Sequence, residues 1–199
     1  MKRIGLFGGS FNPVHKGHVL SAKAFLEAFS LDKVVLIPSN IPPHKEKLFS
    51  VSDEDRLLML RKSIEGEKGL EVCDFELKRD QVSYTYYTLT EMKKQYESAE
   101  LYFLLGTDML MILDRWYKAE ELKNLATFVC AEREEGDKAG IEAKKAELQE
   151  MGFKIELLKS PPFPVSSTEI REKIKKGEDP SEFIPESVWS YIRERGLYV

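Results

Sequence analysis

Short apolar runs recur along the chain at residues 4–7, 34–37, 70–75, 101–105, 127–131 and 154–158, each bounded by charged or turn-forming residues. They are rich in Val, Ile, Leu and Phe and too short for independent helices, so they are predicted strands. Between most of them apolar positions return with helical spacing, over residues 19–29, 52–64, 86–96 and 141–151. This alternation predicts an α/β fold: a doubly wound parallel sheet with helices on both faces and ligands at the carboxyl ends of the strands. Ser52 precedes Asp53, Glu54 and Asp55, the pattern of a helix cap followed by acids at the positive helix end. Residues 133–140 are charged and glycine-bounded, and read as a surface loop. A small helical part is expected at the C-terminal end. One helix opens at Ser167 and runs through Ile170 and Ile174 to Gly177, and another covers residues 187–194 after the turn bracketed by Pro180 and Pro185.

A length of 199 residues suits one domain with a sizeable core, taken as residues 1–199. The formal net charge of −4 offers no whole-chain attraction for nucleic acid. Cys73 and Cys130 lie in apolar runs without metal-ligand spacing, as expected of buried thiols in a reduced, cytoplasmic protein. Met1-Lys2-Arg3-Ile4 leads directly into the first strand pattern, so neither a signal peptide nor a membrane span is expected.

The chemistry concentrates in Gly8-Gly9-Ser10-Phe11-Asn12-Pro13-Val14-His15-Lys16-Gly17-His18, between the first strand and the first helix. Gly8 and Gly9 let backbone N–H groups approach an anion closely. His15 and His18, two of only three histidines, are spaced three residues apart at a helix start and can address one phosphate. Neither the P-loop pattern nor the dinucleotide-binding glycine fingerprint is present.

Three further segments carry candidate chemistry, the second of them taken together with Ser83-Tyr84-Thr85. Pro38-Ser39-Asn40-Ile41-Pro42-Pro43-His44-Lys45 is a stiff loop delivering a cation, Lys45, to the same edge. Leu101 to Asp108, followed by Trp116-Tyr117, is a buried strand ending at Gly106, with Asp108 placed to accept hydrogen bonds from ribose hydroxyls. Trp116 is either core or a flat face for a pyridine or purine ring. Ser83-Tyr84-Thr85 lies just before a helix, where backbone N–H groups can receive a carboxylate. In Ser166-Ser167-Thr168-Glu169-Ile170-Arg171, Ser166 and Glu169 have capping-box spacing, and the same helix start with its hydroxyls and Arg171 can also clamp a polyphosphate.

The His-x-Gly-His arrangement resembles the signature of the nucleotidyltransferase superfamily, and the four segments in this order resemble the bacterial nicotinate-nucleotide adenylyltransferases, from the first strand to Leu197-Tyr198. The resemblance implies a Rossmann-like fold and transfer of AMP from ATP to nicotinate mononucleotide, giving deamido-NAD and pyrophosphate. It places Gly8, Gly9, Ser10, Phe11, His15, His18, Ser167, Thr168 and Arg171 on ATP, with His15, His18 and Arg171 catalytic. It places Lys45, Thr85, Gly106, Asp108, Trp116 and Tyr117 on the acceptor: Lys45 at its phosphate, Asp108 at a ribose, Trp116 stacked on the nicotinate ring near the Thr85 backbone. Mg²⁺ is expected on the ATP phosphates rather than in a protein cage. Expected partners are these small molecules, with neither nucleic acid nor membrane; a homo-oligomer is left open, since the sequence does not determine the oligomeric state. Departures from the family pattern are Asn12 for Asp, Thr107 for Ala, and Glu134 for the Pro expected after Arg133, which leaves Arg133 outside the core site.

Competing readings are transfer to nicotinamide mononucleotide, which differs from the nicotinate acceptor by one charge, and phosphopantetheine adenylyltransferase, which usually has Thr where His15 stands. A regulatory module that senses ATP or NAD without chemistry is a third, favoured if replacing His18 with alanine lowers turnover and ligand affinity equally.

Overall fold

The computed structural model describes residues 1–41, 51–132, 138–159 and 163–199. Six strands form one sheet: β1 (Arg3–Gly9), β2 (Lys33–Pro38), β3 (Leu70–Val72), β4 (Glu100–Gly106), β5 (Thr127–Glu132) and β6 (Ile155–Lys159). Their order is β3-β2-β1-β4-β5-β6, and every pairing is parallel. This is the doubly wound arrangement expected, with its switch point between β1 and β4. The helices are α1 (Lys16–Ala28), α2 (Asp53–Ser63), α3 (Thr85–Gln95), α4 (Thr107–Leu110), α5 (Ala119–Leu122), α6 (Lys138–Glu150), α7 (Ser167–Lys175) and α8 (Glu186–Arg195). A 3-10 turn over Leu113–Arg115 separates α4 from α5.

Side chains alternate between the two sheet faces with period two, and each face closes its own core. On one, Val34, Leu36, Tyr102, Leu104, Val129 and Leu158 meet α1, α2, α7 and α8 through residues such as Phe25, Met59, Ile170 and Ile192. On the other, Ile4, Leu6, Val35, Ile37, Phe103 and Phe128 meet α3 to α6 through Leu89, Met92, Leu110, Leu122 and Leu148. The C-terminal helices complete the first layer instead of forming an appendage. Tyr191 of α8 donates to Asp55 of α2 (2.8 Å), and the Lys16 amide that opens α1 donates to the Phe183 carbonyl (2.9 Å).

Several boundaries differ from the sequence reading. β3 stops at Val72, because Asp74 starts a turn whose carbonyl accepts from Lys78 N (3.2 Å) and carries Phe75 out of the sheet. α1 begins three residues before the first apolar position, on polar Lys16. Residues 138–140, assigned to a surface loop, belong to α6. α4, the 3-10 turn and α5 are each too short to show a helical period. Among the described residues no helix is long and apolar enough to cross a membrane.

Candidate active site

β1 and β4 run in register through Phe7 and Leu104 and part there: Gly8–Gly9 stay paired with β2 and Leu105–Gly106 with β5, which opens the switch point between them. The chain beyond Gly9 turns sharply. Phe11 adopts a left-handed backbone (φ 45°) and buries its ring under the turn, 5.5 Å from the Phe7 ring and 5.1 Å from that of His18. A Cβ on Gly9 would lie 3.1 Å from the Phe11 ring, which accounts for a glycine there.

His15 caps α1 and His18 occupies its third position. The His15 amide donates to Nδ1 of His18 (3.2 Å), and the two rings lie 3.7 Å apart. When Nδ1 accepts, a neutral imidazole carries its proton on Nε2, a donor suited to a phosphate oxygen. The outer face of His15 stacks on Phe163, with ring centres 5.3 Å apart and planes 6° from parallel. A Cβ on Gly17 would come within 2.6 Å of that phenyl ring, so the glycine between the histidines makes room for the residue that holds one of them.

The start of α7 is fastened to the same turn. Ser166 caps the helix reciprocally: its hydroxyl accepts from Glu169 N (3.3 Å) and its amide donates to Glu169 Oε2 (2.7 Å). That leaves the Ser167 hydroxyl to donate to the Pro13 carbonyl (2.9 Å). Arg171 donates from one terminal nitrogen to the Asn12 carbonyl (2.6 Å) and from the other to Thr168 Oγ1 (3.1 Å). Asn12 is buried, and its side-chain oxygen accepts from the Tyr198 hydroxyl (2.6 Å). Burial raises the Tyr198 pKa, so the phenol stays a donor. Ser10, Phe11, His15, His18, Ser167, Thr168 and Arg171 therefore share one constellation, built around a turn gripped by α1 and α7.

A second group forms beyond β4 and at the start of α3. Thr85 is the first residue of α3, so its N–H belongs to a first turn without intrahelical partners. Tyr117, 40% exposed, lies 4.6 Å from the Tyr84 ring and 6.1 Å from that of Tyr86, bringing the residues after β4 against those flanking Thr85. Asp108 is exposed in the first turn of α4, directly after the Gly106 cap. Trp116 is half-buried and meets Phe103 and Phe128 edge-on at 6.2 and 6.4 Å, so it belongs in part to the core. Its indole nitrogen is buried without a hydrogen-bond partner among the described residues. Phe103 links the two groups, since a Cβ on Gly8 would rest 3.4 Å from its ring. Lys45, with His44 and the adjoining prolines, and Arg133 lie outside the described residues.

The most deeply placed contributor is one the sequence reading passed over. Arg56 of α2 is fully buried and donates to the Ser10 carbonyl (2.6 Å), the Ser39 carbonyl (2.7 Å) and Asp53 Oδ1 (2.7 Å). Its signal was present: Arg56 shares a helix stripe with apolar Met59 and Leu60 at spacings of three and four. Glu76 was also missed. It is buried, accepts from Thr88 Oγ1 (2.6 Å), and burial pushes its carboxyl up to about 7.

Comparison with known proteins agrees with this architecture. The cytidylyltransferase-like family model matches residues 6–173. The probable nicotinate-nucleotide adenylyltransferase of Clostridium tetani is 39% identical over 199 residues, covering all of both chains. Its counterpart in Bacillus cytotoxicus is 38% identical over 198 residues, covering 100% of this chain and 99% of the relative. Among solved structures, the nicotinic acid mononucleotide adenylyltransferase of Plasmodium falciparum, complexed with NaAD, superposes with a TM-score of 0.79. That match covers 100% of this chain and 98% of the other at 21% identity, and shows the shared fold. Fold, motif placement and full-length relatives converge: the chain belongs to the cytidylyltransferase-like family of nucleotidyltransferases, alongside the nicotinate-nucleotide adenylyltransferases.

Proposed function

We propose that this enzyme transfers AMP from ATP to nicotinate mononucleotide, forming deamido-NAD and pyrophosphate in NAD biosynthesis. The observation that carries this reading is the attachment of α7 to the glycine turn through Arg171 on Asn12 and Ser167 on Pro13. It brings a cation and hydroxyls from one helix start to the turn that carries both histidines.

An oxygen of the acceptor phosphate attacks the α-phosphorus of ATP; a P–O bond forms to it as the bond to the β-phosphate oxygen breaks. The attacking oxygen is already ionised at neutral pH, so no general base is required. Catalysis then rests on positioning and on neutralising charge as pyrophosphate departs. His15 and His18 bind ATP phosphates beside the backbone of Gly8, Gly9, Ser10 and Phe11. Ser167, Thr168 and Arg171 hold the departing pyrophosphate. Thr85 receives the nicotinate carboxylate at its backbone, Asp108 holds a ribose, and Gly106, Trp116 and Tyr117 flank the pyridine ring, with Lys45 assigned to the acceptor phosphate. Mg²⁺ enters with the nucleotide, and when bound it neutralises phosphate charge. Among the described residues no group of three or more His, Cys, Asp or Glu could hold a metal ion.

Incubation with ATP, Mg²⁺ and nicotinate mononucleotide should release pyrophosphate and yield deamido-NAD, with a kcat/KM above that for nicotinamide mononucleotide. Turnover confined to another acceptor, or a preference for the amide, would refute the assignment.

A further inference from the structure

Among the described residues Arg56 is the largest fully buried side chain, yet it carries a permanent charge. Removing a guanidinium from water costs several kcal/mol, and an apolar residue of similar volume would often serve stability as well or better. What an apolar residue could not do is bond two carbonyls that leave neighbouring strands. One terminal nitrogen of Arg56 donates to Ser10 O in the turn after β1, and the other to Ser39 O just beyond β2. The planar fork fixes the separation of those carbonyls. Asp53, one helical turn earlier and 28% exposed at its side chain, steadies the fork with the Oδ1 contact.

Both loops are joined onward to opposite halves of the site. Ser39 N also donates to Gly9 O (2.9 Å), closing the gap between the two strand exits. Asn40 N donates to Ser83 Oγ (3.1 Å), Asn40 Nδ2 to Arg79 O (2.7 Å), and Ser83 N to Ile41 O (2.8 Å). These bonds tie the β2 exit to the segment leading into Thr85. A continuous set of bonds therefore runs from the phosphate turn, through Arg56, to the start of α3.

Resting on the adenylyltransferase reading above, we propose that Arg56 is a positioning residue: its two-point bond to Ser10 and Ser39 sets the distance between the ATP half and the acceptor half of the site. It touches neither substrate. Attack of one phosphate on another depends on the two being held within about 3–3.5 Å in line, and a misplacement of about 1 Å costs on the order of a hundredfold in rate. Loss of the fork therefore falls on kcat, because each half keeps its own binding groups.

The test compares Arg56→Lys and Arg56→Met in the full-length protein, reading pyrophosphate release, KM for each substrate and thermal stability. Lysine keeps the charge but has one nitrogen, so it cannot reproduce the fork. Expected for both variants is a kcat loss of roughly 30- to 100-fold, with each KM within about threefold of the parent. Parent-like kcat in Arg56→Lys, or a loss confined to one KM, would overturn the inference, and a lowered melting temperature alone would do the same. If neither variant folds, Asp53→Asn decides: a kcat reduced about three- to tenfold at unchanged KM supports the positioning role, and parent-like kcat refutes it. The underlying reading fails separately, when the parent is silent with nicotinate mononucleotide. The variants are then compared on whichever mononucleotide the parent adenylylates.

Discussion

Replacing His18 with alanine should lower kcat by about 10²- to 10³-fold while changing ATP affinity only a few-fold. The imidazole is held by a bond from the His15 amide to its Nδ1 (3.2 Å) and by edge contact with the buried Phe11 ring. A donor fixed in this way does not have to reorganise as negative charge grows on the oxygen that bridges the α- and β-phosphates, so its contribution is concentrated in the transition state. On the proposed assignment, ground-state binding is shared with the backbone of the glycine turn and the start of α7, and changes less. Loss of the capping contact costs on the order of 1 kcal/mol, which should leave the fold intact. Steady-state pyrophosphate release, combined with calorimetric titration of a non-hydrolysable ATP analogue, checks both halves of this expectation. Equal losses in turnover and affinity would favour a nucleotide sensor over an enzyme.

Replacing Glu76 with glutamine should stabilise the protein at alkaline pH and have little effect in acid. Glu76 lies between α3 and the segment before it, where Thr88 and Ser83 hydrogen-bond to it and the charges of Arg79 and Arg56 act on it. The two hydroxyls and the two arginines favour the carboxylate, but burial outweighs them and raises the group from 4.5 to about 7. A carboxyl raised in the folded state contributes stability that is fully present below its unfolded value and lost as pH climbs through the folded one. Wild-type stability should therefore decline between about pH 4.5 and pH 7, by a total of about 3 kcal/mol from this group. Glutamine preserves the acceptor for Thr88 and has nothing to ionise. Denaturant unfolding of both proteins at pH 4.5 and pH 8.5 isolates the effect, because other titrating groups cancel in the difference. A gap between the two proteins that does not widen with pH would show that Glu76 ionises without cost.

The sheet was legible because its four inner strands are largely buried and read as nearly continuous apolar runs. Five of the six runs lie within two residues of their observed limits, although the edge strands β3 and β6 carry the exposed Glu71 and Glu156. The sixth misled at its end: Phe75 extends the apolar run of β3, but the Asp74 turn has already taken the backbone out of the ladder. Helices α2 and α3 were equally visible, α2 also through its Ser52 cap and acidic first turn. The start of α1 showed only in the histidine pair, because Lys16, Gly17 and His18 carry no apolar period, and the reciprocal contact of His15 with His18 does the capping. At the site, glycine and histidine types marked the turn between β1 and α1, and the Ser166–Glu169 spacing identified the start of α7. Contacts between residues far apart in the chain were beyond reach. Nothing local marks Tyr198 as the partner of Asn12, Phe163 as the ring behind His15, or Arg56 as the link from Ser10 to Ser39. Each is a tertiary bond whose two ends show no shared pattern, although the charge of Arg56 on an apolar stripe was a cue that some partner had to exist.

The most direct test of the site is a crystal structure of the protein with a non-hydrolysable ATP analogue and Mg²⁺. His18 and Arg171 should both lie within hydrogen-bond reach of one triphosphate, His18 toward the α-phosphate and Arg171 toward the leaving end. A triphosphate bound by only one of them, with the other turned to solvent, would contradict the proposed clamp.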